Sequence, residues 1–174
     1  MREAERDQIT IEVGGLCREE LRRALTRAGV QLNVHAETLL EHPDFDHASA
    51  STLTVVRRTV SELGLVDGGT LGQVLDAASA LGLEPCPLVT APYLRLATLD
   101  QPEAPDSVLS AGRPPTGAVH VASVPVSPDV EHPKGFYLRV VDGEPWLRGY
   151  RCDDDYAWGP EAEVALVRPS GRRT

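Results

Sequence analysis

The 174-residue chain has no long apolar run, and its charged residues include a single lysine, Lys134. No apolar stretch approaches the ~18 residues that a membrane-spanning helix needs, so no membrane association is expected. The polar N-terminus, residues 1–8, lacks the apolar segment of a secretory signal peptide. We therefore expect a cytoplasmic protein.

Cysteine is also scarce, with Cys17, Cys86 and Cys152 far apart in the sequence and no Cys-x-x-Cys pair. An odd number of widely spaced cysteines predicts neither a disulfide framework nor a zinc ribbon. Residues 42–47 contain two histidines and two aspartates, which are ligand types that suit zinc or manganese. Their spacing matches no ligand motif, so we predict neither a metal nor a cofactor.

The chain has few basic residues and is acidic. Its 26 acidic residues outnumber its 17 basic residues and give a net charge of −9. A general nucleic-acid binder needs a basic surface, so that class is not expected. The chain contains neither the lysine of a P-loop nor a Gly-x-Ser-x-Gly nucleophile elbow. A small enzyme of unknown chemistry is therefore only a second alternative, and we favour a non-catalytic protein.

The apolar pattern predicts an α+β fold. Alternating apolar residues indicate strands over residues 9–13, 53–58, 89–99, 118–126, 135–150 and 164–167. The 135–150 segment is a hairpin turning at Asp142-Gly143. Helical periodicity indicates two main helices, over 17–28 and 70–81. Consecutive strands in the second half predict a mostly C-terminal antiparallel sheet with both helices packed on one side.

We expect one domain over residues 1–170, with the small-residue segment 46–52 as a candidate sub-domain boundary. Residues 100–117 are rich in proline, alanine, serine and glycine, which indicates a loop between two strands. Residues 171–174 are predicted to be a frayed tail.

Three triplets repeat the pattern aromatic-Leu-Arg. They are Tyr93-Leu94-Arg95, Tyr137-Leu138-Arg139 and Trp146-Leu147-Arg148. Side chains of a strand alternate between faces, so each aromatic ring should share a face with its arginine while the leucine enters the core. If the three strands are neighbours, one sheet face carries six candidate binding residues: Tyr93, Arg95, Tyr137, Arg139, Trp146 and Arg148.

Such a face suits anion recognition, because guanidinium groups bind carboxylates and phosphates bidentately and stack on aromatic rings. The favoured hypothesis is a protein that binds another protein, through this face or through the acidic segment 153–155. The alternative is a binder or sensor of an anionic small molecule or nucleotide. A purely structural interpretation is cross-strand pairing, in which each arginine stem covers a neighbouring ring.

Several segments together carry a family resemblance. They are Leu63-Gly64-Leu65, Gly82–Pro87, Leu94-Arg95-Leu96, Asp100-Gln101-Pro102, Gly135–Arg139 and Trp146–Tyr150. The set resembles the pattern LCPxELGPxLRL…DQPE…GFYLR…WLRGY of a family of small uncharacterised bacterial proteins, whose members sometimes carry an automatic helicase label. The chain departs from that pattern at Glu84-Pro85 and at Val89-Thr90-Ala91. The resemblance implies no activity, and the chain has no helicase motif.

Overall fold

The structure is a computed structural model that describes residues 7–105 and 117–170. The frayed tail predicted for 171–174, and most of the loop predicted between 100 and 117, lie outside the described residues. Within those residues no helix is long and apolar enough to cross a membrane.

The described residues form an α+β fold with a seven-stranded, mostly antiparallel sheet, a two-stranded sheet and five α-helices. The large sheet contains β1 (Gln8–Val13), β2 (Gln31–Leu32), β3 (Ser51–Thr59), β5 (Val119–Val121), β6 (Gly135–Val141), β7 (Glu144–Tyr150) and β9 (Glu163–Arg168). The small sheet pairs β4 (Gly69–Thr70) with β8 (Ala157–Trp158). The helices are α1 (Arg18–Arg27), α2 (Val34–Leu40), α3 (Asp44–His47), α4 (Leu71–Ala80) and α5 (Thr90–Ala97).

The strand order in the large sheet is β1-β3-β9-β5-β6-β7-β2. The β5–β9 and β2–β7 pairs are parallel, and the other neighbours are antiparallel. The sheet is therefore not confined to the C-terminal half of the chain. Strands β1 and β3, on either side of the 46–52 segment, pair along six residues, from Gln8 opposite Val56 to Val13 opposite Ser51.

Both faces of the large sheet are covered, so the prediction that the two main helices pack on one side is wrong. Val55 packs in one core with Leu21 and Leu25 of α1, and α2 and α5 contribute to the same core. The next residue, Val56, points to the opposite face and packs in a second core with Val74 of α4. The uninterrupted buried run 164–167 in β9 reflects this burial on both sides.

The strand predicted over residues 89–99 is also wrong, because residues 90–97 form α5. Pro92 lies in its first turn, where the missing amide hydrogen costs no intrahelical bond. A proline within a central strand would instead remove a bond from the ladder. The buried positions Ala91, Leu94 and Arg95 lie three and four residues apart, which is helical spacing.

The predicted start of the second main helix at residue 70 and the predicted hairpin turn are both confirmed. Thr70 and Gln73 form a capping box at the start of α4, with each side chain bonded to the other's backbone amide. The hairpin between β6 and β7 turns at Asp142 and Gly143, which have φ angles of 51° and 76°. Two successive positive φ angles are those of a type I′ turn, whose twist matches that of the flanking strands.

Candidate functional site

Four of the six predicted site residues share one face of the β6–β7 hairpin, as the alternation predicted. Tyr137 lies directly opposite Arg148, and Arg139 lies opposite Trp146. The leucines between them, Leu138 and Leu147, point to the other face and belong to the core shared with α1, α2 and α5. We call the face that carries the four residues the aromatic-arginine face.

Tyr93 and Arg95 do not belong to this face, and their assignment to it is wrong. Both lie on α5, which packs on the opposite side of the sheet. The Tyr93 hydroxyl accepts a hydrogen bond from the Leu16 amide over 3.4 Å, at the edge of the helical layer. The error follows from assigning 89–99 to a strand.

Arg95 has a structural role that its sequence context did not indicate. Its guanidinium is fully buried and donates to the carbonyl oxygens of Thr98, Trp146 and Arg139, over 2.6, 3.2 and 3.4 Å. It also donates to the side chain of Gln101 over 2.8 Å. Burial lowers the pKa of Arg95 to about 10, and the negative charge of Asp100 acts in the opposite direction. Arg95 thus ties α5 to the β6–β7 hairpin.

Three further residues lie against the aromatic-arginine face and were not among the predicted site residues. They are His120, Tyr150 and Trp158. His120 of β5 stacks on Tyr137 with ring centroids 5.4 Å apart, and its ring lies 5.0 Å from Trp158 and 5.5 Å from Tyr150. Because side chains alternate along β5, His120 points to the opposite face from Val119, and this pattern in the sequence could have indicated its position. The pairing of β5 with β6, which brings His120 beside Tyr137, was not readable from sequence.

Burial controls the charge of the ring cluster, which consists of His120, Tyr137, Tyr150 and Trp158. It lowers the pKa of His120 to about 4, so the imidazole is neutral at pH 7. It also raises the pKa of the Tyr150 phenol, which stays protonated. His120 Nδ1 and Tyr150 Oη are both buried and have no hydrogen-bond partner among the described residues.

The four residues of the aromatic-arginine face differ in their exposure to solvent. Tyr137 and Arg139 are buried, and Arg139 has no exposed surface. Trp146 and Arg148 remain half-buried. The part of the predicted site that a partner can reach is therefore the Trp146–Arg148 surface.

The Arg148 side chain is held in position from two sides. Its Nε donates to Tyr137 Oη over 2.7 Å, and its guanidinium carbon lies 4.9 Å from the centroid of the Trp146 ring. The described residues provide no hydrogen bond or ion pair to its two terminal nitrogens. These nitrogens form the planar fork that recognises a carboxylate or phosphate.

The backbone beneath Arg148 is fixed by α2. The Asn33 side chain donates to the Gly149 carbonyl over 3.0 Å and accepts from the Gly149 amide over 2.8 Å. Gly149 touches the start of α2 so closely that a Cβ there would lie 2.6 Å from the carbonyl carbon of His35. Only glycine fits this contact between β7 and α2.

Two arginines, Arg148 and Arg151, lie near His35, although the protein as a whole is acidic. The pKa of His35 is lowered first by burial and then by the charges of Arg151 and Arg148. Arg151 is itself paired with Glu131 over 2.6 Å. Glu131 thus compensates the charge of Arg151, and Arg148 supplies the positive charge that an approaching anionic group would meet at this surface.

Two other segments were singled out in the sequence, the acidic segment 153–155 and the 42–47 cluster. Residues 153–155, the acidic segment, are exposed, and the Asp153 side chain accepts a hydrogen bond from the Asp155 amide over 3.1 Å. In the 42–47 cluster, Asp46 pairs with Arg18 over 2.9 Å, while His42 lies 3.6 Å from Asp44. Across residues 7–105 and 117–170, no group of three or more His, Cys, Asp or Glu side chains is placed to hold a metal ion.

Comparison with protein-family models, with curated proteins and with solved structures finds no match to this chain. The family resemblance of the motifs stays a prediction.

Proposed function

We propose that the protein is a non-catalytic binding protein whose Trp146–Arg148 surface binds a carboxylate group of a partner protein. The observation that carries the proposal is the Arg148 guanidinium, which is positioned by Tyr137 and Trp146 and leaves its terminal nitrogens without a partner among the described residues. A guanidinium that is already oriented loses less conformational entropy when it binds than a free side chain does. The planar Trp146 ring beside it adds an apolar contact of the kind found at binding hot spots.

Electrostatics supports a local and selective contact. The net charge of −9 repels extended polyanions, whereas a single acidic side chain experiences mainly the field of nearby groups. The charge at the site is that of Arg148, because the nearby Arg151 is already paired with Glu131 over 2.6 Å. We therefore expect an acidic segment with few charges as the partner, rather than a nucleic acid.

The test is a titration with a glutamate hexapeptide, a blocked peptide of one glutamate and five alanines, followed by NMR of the backbone amides and the Trp146 indole. We expect saturable shifts at Trp146 and along β7, and an affinity at least about tenfold lower in Arg148→Gln, since one charge-assisted bidentate contact contributes roughly 1.5–3 kcal/mol. Arg27→Gln is the matched control, because Arg27 is exposed at the end of α1 and its loss changes the net charge equally.

The same titration with phenyl phosphate tests the alternative function, a binder of small anionic molecules. Saturable binding of phenyl phosphate that depends on Arg148, without binding of the peptide, would replace the proposed function by that alternative. If neither probe shifts the Trp146 resonance, or if Arg27→Gln weakens binding as much as Arg148→Gln does, the proposal is wrong.

A further inference from the structure

A pocket of about 340 Å³ lies on the other face of the sheet from the aromatic-arginine face. It opens where α5 ends at Ala97, between that helix and the β1–β3 edge of the sheet. Because α5 has only eight residues, it ends before the sheet face beyond its last turn is covered, and no other helix of the described residues lines the pocket there. The volume is in the range of small-molecule sites in proteins.

The floor of the pocket is apolar and the rim is polar. The floor side chains come from four strands and α5, and they are Ile9, Val55, Leu94, Val119 and Leu138. At the rim, Thr98 and Gln101 are already engaged, because Thr98 Oγ1 donates to the Leu94 carbonyl and Gln101 Nε2 donates to the Leu138 carbonyl. An apolar floor with a few polar groups at its mouth is the usual composition of a ligand site.

Two aspartates and one arginine, Asp7, Asp100 and Arg57, are the charged residues that line the mouth, so the lining carries a negative excess. Arg57 is shared between two carboxylates, with 3.7 Å to Asp7 and 3.9 Å to Glu163. Asp100 is exposed at the rim, and its carboxylate accepts no hydrogen bond from the described residues. The nearby Arg95 donates its hydrogen bonds to Gln101 and to backbone carbonyls instead. Asp100 is thus the rim group best placed to receive a cation from a bound molecule.

We propose that this pocket binds a small apolar molecule with one cationic amine, its apolar part on the floor and its ammonium group at Asp100. This site is separate from the Trp146–Arg148 surface in place and in charge preference. The proposed function and this inference can therefore fail independently of each other.

Three probes with the same six-carbon chain test the proposal on the full-length protein: hexylammonium, hexan-1-ol and hexanoate. Methyl NMR should show saturable shifts at Val55, Leu94 and Leu138 with hexylammonium, and weaker ones with hexan-1-ol. Hexanoate should bind at least about tenfold more weakly than hexylammonium, because its charge meets the same carboxylates. Asp100→Asn should bring the affinity for hexylammonium close to that for hexan-1-ol.

A pair of substitutions controls for non-specific binding. Ala97→Phe places a ring at the pocket wall and should abolish the shifts, whereas Ala80→Phe makes the same change at the last residue of α4, on the opposite face of the sheet. Both alanines are exposed, so neither change disturbs the core. Absence of hexylammonium binding would overturn the proposal, as would equal binding of hexanoate or equal loss of binding in the two alanine variants.

Discussion

The Nε of Arg148 on β7 donates a 2.7 Å hydrogen bond to the hydroxyl of Tyr137 on β6, directly across the hairpin. This bond joins the buried part of the aromatic-arginine face to its accessible part. Tyr137 is buried against His120, while Arg148 reaches the surface beside Trp146. The position of the guanidinium therefore depends on the buried ring cluster behind it.

Removing the Tyr137 hydroxyl should loosen Arg148 without removing its charge. We expect Tyr137→Phe to lower the free energy of unfolding by about 1 kcal/mol, the usual net contribution of one hydrogen bond. It should also weaken binding of the glutamate hexapeptide. The measurements are urea unfolding and the NMR titration. Unchanged peptide affinity in Tyr137→Phe would show that the hydrogen bond does not position Arg148 for binding.

Arg95 should be important for stability. Arg95→Met keeps an unbranched apolar stem but leaves the carbonyls of Thr98 and Trp146 without their buried donor. We expect a loss of roughly 3 kcal/mol in the free energy of unfolding, since bonds to a charged donor contribute about 1.5–3 kcal/mol and unsatisfied buried groups are costly. Arg27→Met, on an exposed surface, should change it by less than about 0.5 kcal/mol. If urea unfolding shows equally small losses in the free energy of unfolding for Arg95→Met and Arg27→Met, the structural role of Arg95 is contradicted.

Gly149 should tolerate no side chain. In Gly149→Ala the new Cβ would lie within 2.6–2.8 Å of backbone atoms of His35 and Ala36, which cannot move without shifting α2. We expect a destabilisation of about 1–3 kcal/mol, the usual cost of overpacking. Gly72→Ala is the control, because its Cβ would meet only Thr70 Oγ1 at 3.9 Å and alanine favours the helix. If both variants unfold at the same urea concentration, the close packing of β7 on α2 is wrong.

His120 should make stability depend on pH. Its pKa is lowered by burial from 6.5 in the unfolded chain to about 4 in the fold. Between these values the unfolded state binds the proton more readily, so acidification favours unfolding. The contribution of His120 to stability is present above pH 6.5 and is lost as the pH falls toward 4, with a full size on the order of 3 kcal/mol.

The check compares the free energy of unfolding of the natural chain and of His120→Phe at several pH values from 7 to 4. Carboxylates titrate in both proteins, so the difference between the two curves isolates the histidine. We expect the natural chain to lose more stability than the variant over this range. Parallel curves would contradict the buried, neutral state of His120.

The sequence predicted the hairpin and the four residues of its aromatic-arginine face, because these follow from local rules. Period-two alternation assigns Tyr137 and Arg139 to one face, and Asp142-Gly143 fixes the turn that brings β7 into register. The same rule failed for Tyr93 and Arg95. Over eight residues, strand alternation and helical periodicity overlap, and only Pro92 distinguished the two.

Features that depend on distant pairing could not be predicted in this way. His120 reaches Tyr137 only because β5 pairs with β6, across a connection that no local pattern describes. The position of α4 on the face opposite α1 depends on burial of both faces of β3 and β9. The apolar run at 164–167 was a signal of that burial, but it does not say which helix covers which face.

The most direct test of the central claim is the affinity of the glutamate hexapeptide for the natural chain, Arg148→Lys and Arg148→Gln. Lysine keeps the charge but has neither the planar fork nor the stacking of guanidinium on Trp146. Recognition of a carboxylate by the oriented Arg148 predicts that both variants bind several-fold more weakly, with Arg148→Gln the weaker of the two. Equal affinity in all three proteins would contradict a binding role for the Trp146–Arg148 surface.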